Sequence, residues 1–195
     1  MNAHERTAGA RRLLRVLASA APAAIAAAVA CGGGSFQSSG PPSDVSGDYA
    51  ATLTNGSNGC QFSNWTAGST AENVHLTVQQ TGSEATATVT GVAGLLFDVI
   101  LGGTPQFQGT VTGDSFTLTA VGTNSAKDGQ CSFTIKATLT GTLSGDAIQG
   151  QLSYAETTND SSDCGFHATC SSVQSYAGVR APDAGAAGAT DASGD

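Results

Sequence analysis

The chain has 195 residues, of which 7 are basic and 15 are acidic. Four of the basic residues and one of the acidic residues lie in the first thirty, so the rest carries three basic against fourteen acidic side chains, a net charge of −11. Such a chain repels nucleic acid and anionic lipid headgroups, which excludes both from the predicted partners.

The N-terminal segment has the organisation of a secretion signal. Four arginines between residues 6 and 15 precede an uncharged, alanine-rich stretch over residues 16–30. This stretch is too short to cross the hydrocarbon core of a bilayer as a helix, which takes about 20 residues. Residues 1–30 are therefore predicted to be a signal peptide rather than a permanent span.

The end of this signal resembles the lipobox of bacterial lipoproteins, in which small residues precede a cysteine. The residues that carry the resemblance are Ala28-Val29-Ala30-Cys31-Gly32. It implies cleavage before Cys31 and lipid on its sulfur, with about 0.8 kcal/mol of membrane affinity per buried CH₂. Ala28 stands where the family usually has leucine, which leaves ordinary signal-peptidase cleavage open. Gly32 in place of an acidic residue points to the outer membrane, on its periplasmic face or at the cell surface.

Four cysteines remain once Cys31 is assigned to lipid. An even number in an exported chain predicts two disulfides, and the sequence leaves all three pairings open. No CxxC pair is present, and the segment from Cys164 through His167 to Cys170 is better explained as a disulfide-stapled loop than as a zinc site. Neither a metal nor a cofactor is predicted. The four cysteines are Cys60, Cys131, Cys164 and Cys170.

Residues 44–180 are predicted to form one all-β domain, because apolar and polar residues alternate along most of this range. Residues 31–43 are predicted to be the lipidated cysteine and a flexible Gly/Ser/Pro-rich tether, and residues 181–195 a disordered tail. No stretch shows a convincing helical period. Eight strands are expected, at about residues 48–54, 73–80, 85–92, 105–112, 115–122, 131–142, 147–157 and 171–179.

In an up-and-down order, the connections between these strands fall at alternating ends. Short turns at Gly82, Gly113 and Gly145 lie at one end. Long loops lie at the other, at about residues 55–72, 93–104, 123–130 and 158–170, and this end also holds the four cysteines. We therefore predict a single eight-stranded antiparallel up-and-down barrel, with a two-sheet β-sandwich as the alternative.

This arrangement resembles the lipocalin-like barrels, namely lipocalins and avidin-type proteins. The run from Ser46 through Gly47 to Tyr49 lies where lipocalins carry Gly-x-Trp in the first strand, with tyrosine in place of tryptophan. Arg180 follows the last strand, where the family has an arginine that packs on that aromatic ring. The resemblance implies one tight end and one open, loop-rich end, and it transfers no ligand-contacting residue.

Apolar side chains cluster at the predicted open end. Either they rim a pocket for a small apolar ligand or they plug the barrel beneath the disulfides. The candidate ligand-binding residues are Phe62, Trp65, Phe97, Phe166 and His167, with Leu95 and Leu96 beside them.

The sequence contains no catalytic signature: no G-x-S-x-G elbow, no H-E-x-x-H helix and no phosphate-binding glycine loop. We therefore expect a non-enzymatic envelope lipoprotein that binds a small apolar ligand. The alternative is a structural or protein-interaction module of the envelope with a side-chain-filled barrel. The ligand, the disulfide pairing, the membrane leaflet and the oligomeric state stay open at this point.

Overall fold

The eight strands form a closed antiparallel barrel in which each strand pairs with its neighbours in sequence, as seen in a computed structural model that describes residues 40–103 and 106–182. The strands are β1 Gly47–Asn58, β2 Thr70–Thr81, β3 Glu84–Thr90, β4 Gln106–Thr112, β5 Ser115–Asp128, β6 Cys131–Ser144, β7 Ala147–Thr158 and β8 Ser171–Arg180. The predicted signal peptide, Cys31, most of the tether and nearly all of the predicted tail lie outside the described residues.

The barrel closes because β1 pairs with both β2 and β8. Tyr49 lies opposite Leu76 on one side and opposite Arg180 on the other. This closure confirms the predicted barrel over the sandwich, and it leaves neither the first nor the last strand with an unpaired edge.

Along each strand, inward-facing residues alternate with outward-facing ones, and the inward-facing side chains fill the barrel lumen. Leu76, Phe107 and Leu118 are buried, and burial of one such side chain contributes about 1.5–3 kcal/mol to folding. The cavity that remains between Leu53, Leu139 and their neighbours measures about 20 Å³. That volume is enough for about one water molecule, so this cavity has no room for a ligand.

The tight end of the barrel carries the three short turns, as predicted. Their central residues Gly82, Gly113 and Gly145 have φ values of 62°, 54° and 60°, a left-handed backbone that favours glycine. The segment before β1 covers this end: the Ser43 N–H donates to the Gly113 carbonyl (2.9 Å), and Val45 is buried.

The expectation that the chain forms no helix is wrong. Residues 91–101, expected as the end of a strand and a loop, form helix α1 (Gly91–Leu101). Eight of its eleven residues are apolar, so no polar face reveals a helical period. Within the described ranges, no helix is both long and apolar enough to cross a bilayer.

The expectation of a long loop at residues 123–130 is also wrong. β5 continues to Asp128, and a tight turn at Gly129 (φ 57°) leads directly to Cys131. The other long connections lie at the open end as predicted, and the one between β7 and β8 contains a single 3₁₀ turn at Ser162–Cys164.

Two disulfides hold the open end together, which confirms the predicted number. Cys60 pairs with Cys170 (Cα–Cα 4.7 Å), joining the β1–β2 connection to the start of β8. Cys131 pairs with Cys164 (Cα–Cα 4.9 Å), joining the start of β6 to the β7–β8 connection. All four cysteines are buried beneath these loops.

Candidate ligand-binding cleft at the open end

An apolar cleft of about 360 Å³ lies at the open end, between α1 and the β1–β2 connection. We refer to it as the mouth cleft. Phe62 and Trp65 form one wall, Leu96 and Phe97 of α1 form the other, and Tyr154 of β7 lies at the base. Its volume falls within the range of about 300–1,000 Å³ that small-molecule sites occupy.

Tyr154 is the central ring of an aromatic group in the cleft. Its ring centroid lies 5.6 Å from that of Phe62 and 6.0 Å from that of Trp65, both edge-to-face. The Phe97 ring stacks on it at 6.1 Å. Such pairs contribute about 0.5–1.5 kcal/mol each beyond their buried area, so the ring positions are well fixed.

The wall formed by the β1–β2 connection is held in place by hydrogen bonds. The Asn58 side chain accepts from the Phe62 N–H and donates to the Phe62 carbonyl, both at 2.9 Å. The Trp65 indole N–H donates to the Gly56 carbonyl at 3.0 Å. The Cys60–Cys170 disulfide fixes the same loop to β8, so this wall is preorganised before any ligand binds.

The base of the cleft also has a polar edge. The Tyr154 hydroxyl donates to Oε1 of Gln174, whose Nε2 donates to Oδ1 of Asn55, both at 2.7 Å. Burial raises the pKa of Tyr154, so its hydroxyl stays protonated at neutral pH. Among the described residues, those that line the cleft carry no formal charge. A neutral ligand is therefore favoured.

The wall formed by α1 is attached less firmly. Phe97 and Leu101 are its buried residues, and no side chain caps its first turn. The Thr123 hydroxyl donates to the carbonyl of Gly102, just after the helix. Two glycines with positive φ mark the ends of the helix: Gly91 (75°) is its first residue, and Gly102 (77°) follows its last.

Three of the five predicted site residues, Phe62, Trp65 and Phe97, meet in the mouth cleft. Phe166 and His167 do not line it: His167 lies against Phe133, and Phe166 lies against His167. The His167 ring stacks on Phe133 at a centroid distance of 4.0 Å, and the Phe166 ring meets the His167 ring edge-on at 5.4 Å.

His167 forms a separate electrostatic cluster. Its Nδ1 lies 2.5 Å from Oε2 of Glu156 on β7, and its Nε2 lies 3.5 Å from Oδ2 of Asp128 on β5. The hydrogen bond to Glu156, assisted by that to Asp128, raises the pKa of His167. These contacts tie the β7–β8 connection to two strands, which is a structural role.

One group of side chains in the described part of the chain has spacing suited to a metal ion. The sulfurs of Cys60 and Cys170 and a carboxylate oxygen of Glu156 lie within 4.8 Å of one another. The two sulfurs are bonded to each other in a disulfide, and metal ligation requires thiolates. This group is therefore not a metal site in the oxidised protein.

A larger concavity, of about 770 Å³, lies on the outer wall of the barrel. It is shallow and open to solvent, and hydroxyl and amide side chains of β1 and β5–β8 line most of it. It lacks the enclosed apolar surface that binds small molecules in proteins, so the mouth cleft is the better candidate.

Tyr154, Asn55 and Gln174 line the cleft but were not predicted from the sequence. A signal existed for Tyr154, which continues the inward alternation of Ile148 and Leu152 toward the open end of β7. Asn55 and Gln174 gave no comparable signal, because polar residues at inward positions interrupt the apolar alternation instead of marking it.

At the opposite end, Arg180 packs against Tyr49. Its guanidinium carbon lies 5.6 Å from the ring centroid, and Nε and Nη2 donate to the tyrosine hydroxyl at 3.2 and 3.0 Å. Nη2 also donates to the Asp44 carbonyl at 2.8 Å. This is the contact that the lipocalin resemblance implies for these two positions.

The fold and the cleft together define a closed eight-stranded antiparallel barrel with a small apolar site at its open end. Comparison with protein-family models, curated proteins and solved structures finds no match to this chain.

Proposed function

We propose that this protein is a non-enzymatic binding lipoprotein of the outer membrane that holds a small, neutral, apolar molecule in the mouth cleft. The observation that carries the proposal is the cleft of about 360 Å³ around the three rings of Phe62, Trp65 and Tyr154. An apolar cavity of about 150 Å³ holds benzene, so this volume suits a molecule of two or three rings.

The charge of the protein narrows the ligand class. A carboxylate ligand would find no cation among the residues that line the cleft, and the chain outside the signal peptide has a net charge of −11. Burial of an unpaired charge is costly, so fatty acids are disfavoured. The amides of Asn55 and Gln174 offer hydrogen bonds to one hydroxyl or carbonyl group at the edge of the ligand.

The envelope setting is proposed from the N-terminal sequence, whereas two observations at the tight end concern the barrel itself. The Tyr49–Arg180 contact supports a relationship to the lipocalin-like barrels. In our proposal, the ligand binds at the open end of the barrel. The chain also enters the barrel at the tight end, where Ser43 contacts Gly113.

The test is a titration of residues 32–195, which contain the whole barrel, with the neutral fluorophore N-phenyl-1-naphthylamine. We expect saturable binding that quenches Trp65, the single tryptophan. Phe62→Ala should weaken binding about 5- to 30-fold, because it removes an apolar ring contact of about 1–2 kcal/mol. The anionic cis-parinaric acid should bind at least 10-fold more weakly than the neutral probe.

Phe166→Ala is the matched control. Phe166 is a partly exposed aromatic residue at the same end of the barrel but outside the cleft, so its removal should leave the affinity unchanged. Absence of saturable binding by the wild type would refute the proposed function. Unchanged affinity in Phe62→Ala would show that the probe binds elsewhere and would contradict the assignment to the mouth cleft.

A further inference from the structure

The outward face of α1 exposes a row of apolar side chains. Val92, Leu95, Leu96 and Val99 are 79, 66, 60 and 78% exposed. Their spacing, i, i+3, i+4 and i+7, places them on one face of the helix. The opposite face packs on the barrel through Phe97 and Leu101, so the helix is apolar on both sides.

A helix that is apolar all round is normally buried on all sides. Asp98 is the single charged residue of α1, and it does not interrupt the exposed row. An 11-residue helix would also be marginal in isolation, because short helices depend on packing for their stability. We infer that the exposed face is covered in the working protein.

We propose that a second copy of this chain covers it, in a two-fold dimer in which α1 of each copy closes the mouth cleft of the other. The geometry that favours a second copy is the position of Leu96 and Val99, which belong to the exposed row and also line the cleft. A convex apolar row and a concave apolar cleft therefore share an edge. A two-fold axis at this edge brings each row over the cleft of the partner, which makes the surface self-complementary.

The area involved predicts a weak dimer. The exposed row presents roughly 300 Å² of apolar surface on each copy, taking about 60–120 Å² for each fully exposed valine or leucine side chain. Each row would also cover the cleft walls of the partner. The two rows and the two sets of cleft walls together bury on the order of 1,000 Å², at the lower limit for a specific interface. We therefore expect a dimer that dissociates on dilution.

The test is sedimentation velocity of residues 32–195 without added ligand, from about 5 to about 500 μM, together with the Trp65 emission spectrum. Wild-type protein should shift from monomer to dimer over this range. Trp65 emission should shift to the blue as the dimer forms, because the partner covers the cleft in which this half-buried ring lies.

Leu95→Glu should raise the dissociation constant at least 30-fold. Leu95 is exposed and does not line the cleft, so this variant keeps the binding site intact. Val179→Glu is the matched control, because Val179 is a 60% exposed valine on β8, at the tight end. It should dimerise like the wild type.

Wild-type protein that stays monomeric at about 500 μM would overturn the proposal. Equal loss of dimer in both variants would also overturn it, because that result would indicate general charge repulsion. Dimerisation with no change in Trp65 emission would overturn it as well. The proposal rests on the same cleft as the proposed function but can fail separately. Probe binding at about 1 μM, where the protein is monomeric, reports on the cleft alone.

Discussion

Replacement of Arg180 by methionine tests how the barrel is closed at its tight end. Arg180 lies opposite Tyr49 at the seam between the last and first strands. The guanidinium donates to the Tyr49 hydroxyl and to the Asp44 carbonyl and packs over the tyrosine ring. A hydrogen bond to a charged group contributes about 1.5–3 kcal/mol and an exposed cation–π contact about 0.5–1 kcal/mol.

The expected loss is smaller than the sum of these contributions. The Arg180 side chain is 26% exposed, so solvent screens part of its charge. The Tyr49 hydroxyl keeps its own hydrogen bond to the Val45 carbonyl at 2.9 Å, and the Asp44 carbonyl belongs to an exposed residue that water can reach. We therefore expect a loss of about 2–3 kcal/mol in the free energy of unfolding. In a domain of this size, that loss lowers the Tm by about 6–12 °C.

Urea unfolding followed by far-UV circular dichroism measures this change. Asp146→Asn is the control, because Oδ1 of Asp146 lies 4.0 Å from Nη1 of Arg180 and the Asp146 side chain is 76% exposed. Such a pair contributes little, so the control should lose less than about 0.5 kcal/mol. A loss in Arg180→Met no greater than that of the control would refute the view that this arginine stabilises the closed barrel.

Two other predictions concern charge and anchoring. Because the hydrogen bond to Glu156 raises the pKa of His167 above 6.5, folding strengthens proton binding there. Wild-type protein should therefore be more stable than His167→Gln below about pH 6.5 and should lose this advantage as the pH rises through the higher folded pKa. Stability curves for wild type and His167→Gln that stay parallel over this pH range would contradict the reasoning. Cells that express the full chain should incorporate labelled palmitate into it, and Cys31→Ser should abolish the label; a label that persists in the variant would rule out this cysteine as the lipid site.

The strands could be predicted because two local signals agree along the domain. Alternating apolar residues define each strand, and glycines such as Gly82, Gly113 and Gly145 mark the turns between them. Because these two signals agree, they predict which connections lie at the same end of the barrel. They therefore also predict that the four cysteines share one end. Closure into a barrel follows less directly, because the same alternation suits a sandwich; it depends on pairing between β1 and β8, which are far apart in sequence.

The candidate site could be predicted only in part. Phe62, Trp65 and Phe97 were found because bulky apolar residues in long loops gather at one end of the barrel. Phe166 and His167 lie outside this cleft, since their position depends on how the β7–β8 connection is tied down. That path is set by which cysteines pair, and the sequence leaves the pairing open.

The two ends of the barrel are built differently, and the exposed apolar surface discussed above lies at one of them. At the tight end, the segment before β1, the short turns and Arg180 are joined by hydrogen bonds. At the open end, the disulfides provide the rigidity, which frees the loops from having to pack a core of their own. Apolar surface is left over there, in the mouth cleft and on the outer face of α1. Exposed apolar surface weakens solubility, so both proposals place a binding partner or ligand at this end of the barrel.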